Sequence, residues 1–294
     1  GQYENLYLVG GSFRSLAKIH MLRSKYPMDL LHNYTLSIAE ITPMLQEIAA
    51  YDEKQCMTLP ASDKRQTQMP VAAKILLALI KRSKVKKIVF STSGIREGLL
   101  FAQLSPYVRN EDPLIASCDM LRRGFAGQSR YSRELFQWME PLFAGESDAM
   151  RRLRVAACML NHLALNVQRA NRAAWAYHHV LQASIKGVEH KERVALAAAL
   201  FFRYRYLMTE DFGSYALLDN KLKSWASLLG AAMRLAYTLS GGSPGNLSQT
   251  QLRLEKDRPK LRLGTAVKPL EGETLDKRKE GLTNAYIEFL RHHG

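Results

Sequence analysis

LYLVGGSFRSLAKIHML, residues 6–22, is the stretch on which the fold assignment turns. A short apolar run from Leu6 to Val9 suits a strand. Gly10-Gly11 ends it, and Leu16, Ile19 and Leu22 then recur at helical spacing. Ser12 is placed to cap that helix with its side-chain oxygen. A strand that enters a helix through paired glycines suits phosphate binding. Glycine lets backbone amides approach a ligand closely, and the helix start offers unpaired N–H groups at the positive end of its dipole. A tight turn inside a core is the commoner meaning of one Gly-Gly-Ser, so the motif alone decides little.

The same grammar continues outward. YTLSI (34–38) reads as a strand and ITPMLQEIAAY (41–51) as a helix. VAAKILLALIKR (71–82) is a helix after Pro70, and KKIVFST (86–92) is a strand. Ser93-Gly94 then opens a helix, IREGLLFAQL. STSGIREG (91–98) thus repeats the strand–turn–helix form, with Arg96 available as a bidentate phosphate donor. The plainer alternative is that Arg96 and Glu97 satisfy only each other and the turn. Up to about residue 107 this is an α/β pattern.

From 108 to 240 the pattern becomes all-helical. Ala- and Leu-rich segments at 134–143, 148–164, 170–185, 190–207 and 216–239 are broken by Gly124, Gly127, Gly145, Gly187 and Gly213. SGGSPGN (240–246) is a loop signal, LRLEKDRPKLRLGTA (252–266) alternates as a hairpin would, and DKRKEGLTNAYIEFLRHH (276–293) closes as a helix. The fold class expected is α/β followed by all-α and a small α+β part, with divisions at 1–107, 108–240 and 241–294.

Lys and Arg total 42 against 27 Asp and Glu, a formal charge of +15. Such a surplus predicts an anionic partner, whether nucleic acid, polyphosphate, nucleotide or acidic membrane surface. Residues 63–96 hold nine basic side chains and one acid, over half of the excess. Lys64, Arg65 and Arg96 are the candidates for a polyanion track beside the second glycine turn, although a solvated helix face is the usual meaning of a basic run. Cys56, Cys118 and Cys158 are far apart and form no CxxC, which argues against a disulfide framework and suits a reducing cytoplasm. No apolar run approaches the roughly 20 residues of a membrane span.

VGGSFRSLAKIHM (9–21), YPMDLLHNY (26–34) and STSGIREGLLFAQL (91–104) together resemble the latter half of the second actin-like lobe of the exopolyphosphatase/guanosine-pentaphosphate phosphatase (Ppx/GppA) family. The likeness is greatest to long bacterial exopolyphosphatases. It implies an actin/Hsp70-like (ribonuclease H-like) lobe, a helical domain of HD-phosphohydrolase-like topology, and a small C-terminal domain. It also implies phosphates gripped by loops in a cleft, Mg²⁺, and a glutamate that positions the attacking water. By this match Gly10, Gly11 and Ser12 correspond to the family's Gly-Gly-Ser/Thr phosphate-side loop. Arg14 corresponds to the arginine after it, and Arg96, Glu97 and Gly98 to a mainly architectural Arg-Glu-Gly turn.

Two departures qualify what the resemblance implies. The family's first lobe, the loop opening its second lobe and the catalytic glutamate have no counterpart here, so no catalytic residue is assigned in this chain. The chain is therefore expected to be a segment of a longer exopolyphosphatase, nearly inert alone, because phosphoryl transfer needs several groups at once. Secondly, AACMLNHLALN (156–166) resembles the helix carrying the metal-binding His-Asp pair of HD phosphohydrolases but reads Asn161-His162. With no acid at the pair, no metal site is assigned and Mg²⁺ is expected only in the full enzyme. The arginines at 151, 152, 154, 169, 172, 203 and 205 are expected to face solvent or guide polyphosphate, and Trp138, Trp175 and Trp225 to be core. The expected partners are inorganic polyphosphate or guanosine pentaphosphate and a second copy of the chain, without membrane or nucleic acid. A non-catalytic polyanion-binding or dimerisation module is the rival from another class.

Overall fold

The computed structural model describes residues 3–61, 63–123 and 128–293, and two compact units emerge, Gly1–Asn110 and Glu111–Gly294. The expected breaks at Gly124 and Gly127 lie outside the described residues.

The first unit is built on a three-stranded sheet of β1 (Asn5–Leu8), β2 (Tyr34–Ser37) and β3 (Lys87–Phe90), in the order β1-β3-β2. β3 runs parallel to β1, with Leu8 opposite Phe90, and antiparallel to β2, with Tyr34 opposite Phe90. Central strands are buried on both faces, which explains the continuous apolar Ile88-Val89-Phe90. Around the sheet lie α1 (Gly11–Arg23), α2 (Ile38–Ala49), the short α3 (Glu53–Met57) and α4 (Asp63–Gln66), and α5 (Met69–Ser83). Leu16, Ile19, Ile41, Leu45, Leu76, Ile88 and Phe90 form one core. α2 starts with a reciprocal box in which Ser37 accepts from the Glu40 amide while the Glu40 carboxylate accepts from the Ser37 amide. α6 (Ile95–Ala102), which buries none of its side chains, and α7 (Pro106–Arg109) complete the unit.

The second unit is mainly helical: α8 (Pro113–Arg122), α9 (Gln128–Trp138), α10 (Asp148–Met159), α11 (Arg172–Gln182), α12 (His190–Phe202) and α13 (Asn220–Ser240). α12 is apolar nearly all round because α10, α11 and α13 enclose it. Gly230 brings α13 against it, since a Cβ there would lie 2.3 Å from Phe202 Cβ. The hairpin β4 (Thr250–Glu255) and β5 (Arg258–Leu263) and the last helix, α14 (Glu273–His293), belong to the same unit, with α14 packed along α13.

The hairpin turns through Lys256 and Asp257, both left-handed at φ 51° and 55°. A two-residue turn of this kind favours Asn-Gly, because other L-residues crowd their own carbonyl there. Lys256→Asn with Asp257→Gly is expected to raise stability by about 0.5 kcal/mol, read as a small rise in the urea midpoint at unchanged slope. An unchanged or lowered midpoint would contradict it.

Three expectations are corrected. Gly10, not Ser12, is the residue before the first helical turn, and no side chain caps it. Gly10 sits at φ 118°, open only to glycine, so the chain enters the helix by backbone conformation alone. Trp175 is 37% exposed and stacks on His179, whereas Trp138 and Trp225 are buried. Most of the named arginines do not form a solvated face. Arg154 and Arg203 are buried, Arg152 pairs with Asp112, and Arg172 donates to the Val167 and Leu165 carbonyls. Arg193 is buried too, donating to the carbonyls of Val180, Ala183 and Ile185 and so satisfying the acceptors left at the end of α11.

Candidate functional site

In the first unit the β1–α1 turn opens onto a cleft of about 720 Å³. Its floor is the start of α1. The first backbone N–H to find a helical carbonyl is that of Arg14, bonded to Gly10 at 3.1 Å, and no acidic residue lies in the first turn. The positive end of the helix is therefore left without a carboxylate of its own. Three cations line the same cleft: Arg14 and Lys18, one turn apart on α1, and Arg65 from α4. The Arg65 guanidinium lies against Gly11 so closely that a Cβ there would come within 2.9 Å of Cζ. Arg14 is half-buried and its Nε has no partner among the described residues. Asp29 is the carboxylate of the lining, with Ser15 and Thr92 as neutral polar neighbours.

The second glycine turn behaves differently. The Gly94 amide donates to the Glu97 carboxylate at 2.5 Å, so α6 supplies the anion for its own N-terminus. The hydrogen bond from Gly94, and then that from the backbone of Glu97 itself, hold this carboxyl below its ordinary value, and the charges of Arg14 and Arg96 add to the effect. Arg96 is exposed and is not part of the cleft lining. The 91–98 turn is thus closed to an external phosphate at its helix start. Of the sequence candidates, Gly11, Arg14 and Arg65 come together. Lys64 lies in α4 with its side chain outside the described residues. Lys18 and Asp29 are additions. Lys18 was legible as Arg14 plus four on one helix face, whereas Asp29 carries no local signal.

The Asn161-His162 pair lies in the second unit and is locked in place. Arg203 Nε donates to Asn161 Oδ1 at 2.8 Å, and the His162 ring packs edge-on to Tyr131. Burial, reinforced by the Arg203 charge, pushes the imidazole down to about 4, so it is neutral near pH 7. Among the described residues no group of three His, Cys, Asp or Glu side chains is arranged to hold a metal ion. Among the described residues lining the cleft there are one carboxylate, Asp29, and three cations, a donor set that does not fit Mg²⁺. No helix among the described residues is long and apolar enough to cross a membrane.

Comparison with known proteins places these features. Over 119 residues the chain is 26% identical to Retrograde regulation protein 2 of Saccharomyces cerevisiae, which is 38% of this chain and 20% of that protein. The chain therefore spans about a fifth of the length of that relative. Residues 114–288, more than half of the chain, match the exopolyphosphatase C-terminal family, and residues 1–106 match the Ppx/GppA phosphatase family. With the glycine turn and its cations inside the Ppx/GppA match and the helical unit covered by the exopolyphosphatase C-terminal match, the chain belongs to the Ppx/GppA phosphatase family.

Proposed function

We propose that this chain is the polyanion-gripping part of an exopolyphosphatase, an enzyme that removes the terminal phosphate of inorganic polyphosphate by attack of water. The observation that carries the reading is the start of α1, free of any acid, beneath a cleft where Arg14, Lys18 and Arg65 converge. A terminal phosphoryl group at this turn meets backbone N–H donors and up to three positive charges. Such a grip orients a polyphosphate end and offsets the charge that develops on its oxygens during transfer. Family membership implies phosphatase chemistry on polyphosphate or guanosine-pentaphosphate-type substrates, and phosphatases of this family generally need divalent metal ions. The grip needs only a chain of phosphoryl groups, which favours polyphosphate.

In this reading residues 1–107 are the latter part of an actin-like lobe, 108–240 an HD-like helical part and 241–294 its small C-terminal addition. The water-activating carboxylate and the metal ligands, in this reading, come from polypeptide outside this chain, because among the described lining residues the cleft's carboxylate, Asp29, stands with three cations.

The test is binding of a labelled short polyphosphate at low salt. Arg14→Ala with Arg65→Ala is expected to weaken it about tenfold or more. Gly11→Ala, which displaces the Arg65 guanidinium, should weaken it less. The exposed pair Lys260→Ala with Arg262→Ala removes equal charge far along the sequence and should have little effect. Equal losses in both double variants would reduce the binding to net charge and remove the cleft assignment. Phosphate release from long-chain polyphosphate with Mg²⁺ by this chain alone would refute the placement of the catalytic groups outside it.

A further inference from the structure

The second unit carries a group of arginines with no counter-charge. Arg203, at the end of α12, is 4% exposed, and its second terminal nitrogen is fully buried without a partner. Its guanidinium lies 4.2 Å over the Tyr237 ring. One turn back along α13 from Tyr237 is Arg234, 6% exposed, which lies 5.5 Å over the Tyr206 ring. Tyr206 in turn packs at Gly281 of α14, where a Cβ would be 3.5 Å from the ring. Arg278, one turn before Gly281, is half-buried with an unpartnered Nε, and the exposed Arg169 acts on it electrostatically.

Among the described residues no carboxylate lies within ion-pair distance of any of these four. Other buried arginines of this unit have acceptors for their terminal nitrogens, although Arg193 Nε is without a partner among the described residues. Arg154 has two glutamates, and Arg193 has a ring of carbonyls. Burying cations beside one another without an anion is costly, because each loses its hydration and repels the next. Burial, and then the charges of Arg278 and Arg203, push Arg234 down to about 10. The exposure gradient runs inward from Arg169 through Arg278 to Arg234, with Arg203 behind.

We propose that Arg234, Arg278 and Arg169, backed by Arg203, form a binding site for one small inorganic oxyanion of the phosphate class. Planar guanidinium groups match such an anion with paired hydrogen bonds, and the aromatic rings of Tyr206 and Tyr237 hold them in place. The site is separate from the α1 cleft and does not depend on the exopolyphosphatase reading.

The test uses the intact chain and orthophosphate, with ionic strength held constant by chloride. All three tryptophans lie in the second unit, at 138, 175 and 225, so their fluorescence follows its thermal unfolding. Orthophosphate is expected to raise the midpoint by several degrees at millimolar concentrations. Arg234→Met and Arg278→Gln should each raise the half-saturating concentration about tenfold or more. In chloride alone Arg234→Met should be at least as stable as the parent, because an uncompensated buried charge has gone. A folded variant that has lost only the phosphate response is therefore recognisable. Arg14→Ala with Arg65→Ala should keep the shift. The proposal is overturned by no shift with orthophosphate, by a shift retained in both arginine variants, by one abolished in the cleft variant, or by one produced only by long polyphosphate.

Discussion

Arg154→Met is expected to destabilise the second unit by about 3–5 kcal/mol, the range for removing one partner of a buried ion pair. The Arg154 side chain is fully buried. It donates to Glu146 at 2.8 and 2.6 Å, to Glu140 at 2.6 Å and to the Phe136 carbonyl at 3.0 Å, and it lies 3.9 Å over the Phe136 ring. Glu140 is nearly half exposed and can turn to water, but the Glu146 side chain is only 8% exposed. Without Arg154, Glu146 is a buried carboxylate with no ion-pair partner, an acidic neighbour and only the weaker charge of Arg151 to offset it, and that group carries most of the cost. Arg154→Met with Glu146→Leu should recover most of the loss, because both charges leave together. Urea unfolding followed by tryptophan fluorescence measures this on the right unit. A single-variant loss below about 1 kcal/mol would contradict the account.

The pH dependence of that variant follows from Glu146. Burial, the largest influence, holds its carboxyl above the ordinary value even with Arg154 present. Removing the guanidinium raises it further. A carboxyl whose folded value is raised stabilises below its unfolded value and loses that contribution as pH rises through the folded one. The deficit of Arg154→Met against the parent should therefore narrow as pH falls toward the ordinary carboxylate range.

The second large effect is acid lability centred on His162. The ring is 3% exposed, and burial together with Arg203 brings it from 6.5 down to about 4. A folded value below the unfolded one means that this contribution is intact above about pH 6.5. It is lost progressively as pH falls toward 4, when the unfolded chain takes up the proton first. The separation corresponds to roughly 3 kcal/mol. His162→Gln should start lower at pH 7, because packing against Tyr131 and Tyr237 is lost, yet fall less steeply between pH 6.5 and 4. Parallel slopes for the parent and the variant would assign the acid limb to other groups.

Much of the fold was legible in sequence. Strand and helix periodicity located β1 to β3, α1, α2, α5, α10 to α14 and the terminal hairpin to within about five residues, because side-chain periodicity is a local property. α8 was not foreseen, and α9 begins six residues before the segment expected at 134–143. What failed was role rather than element. Ser12 had the chemistry of a cap, but a glycine at φ 118° made a cap unnecessary. Arg96 looked like a phosphate donor, but Glu97, one residue on, filled the helix start. The run of arginines on α10 to α12 looked like a basic surface. Instead Arg154 binds carboxylates and Arg172 carbonyls inside the unit. An arginine in a sequence does not show whether its guanidinium reaches water or a buried acceptor.

The sequence alone determined the order of elements, the glycine-paired entry into α1, the positive surplus, and the absence of an acid at residues 161–162. Each is a statement about residues within a turn or two of one another. Only the tertiary structure decided that Arg65 lies against Gly11, that Arg203 holds Asn161, and that Arg203, Arg234 and Arg278 gather without a counter-charge. Those pairings span tens of residues and depend on how helices pack. Packing follows from burial of non-directional apolar surface, which leaves no local periodic trace of which polar groups it brings together.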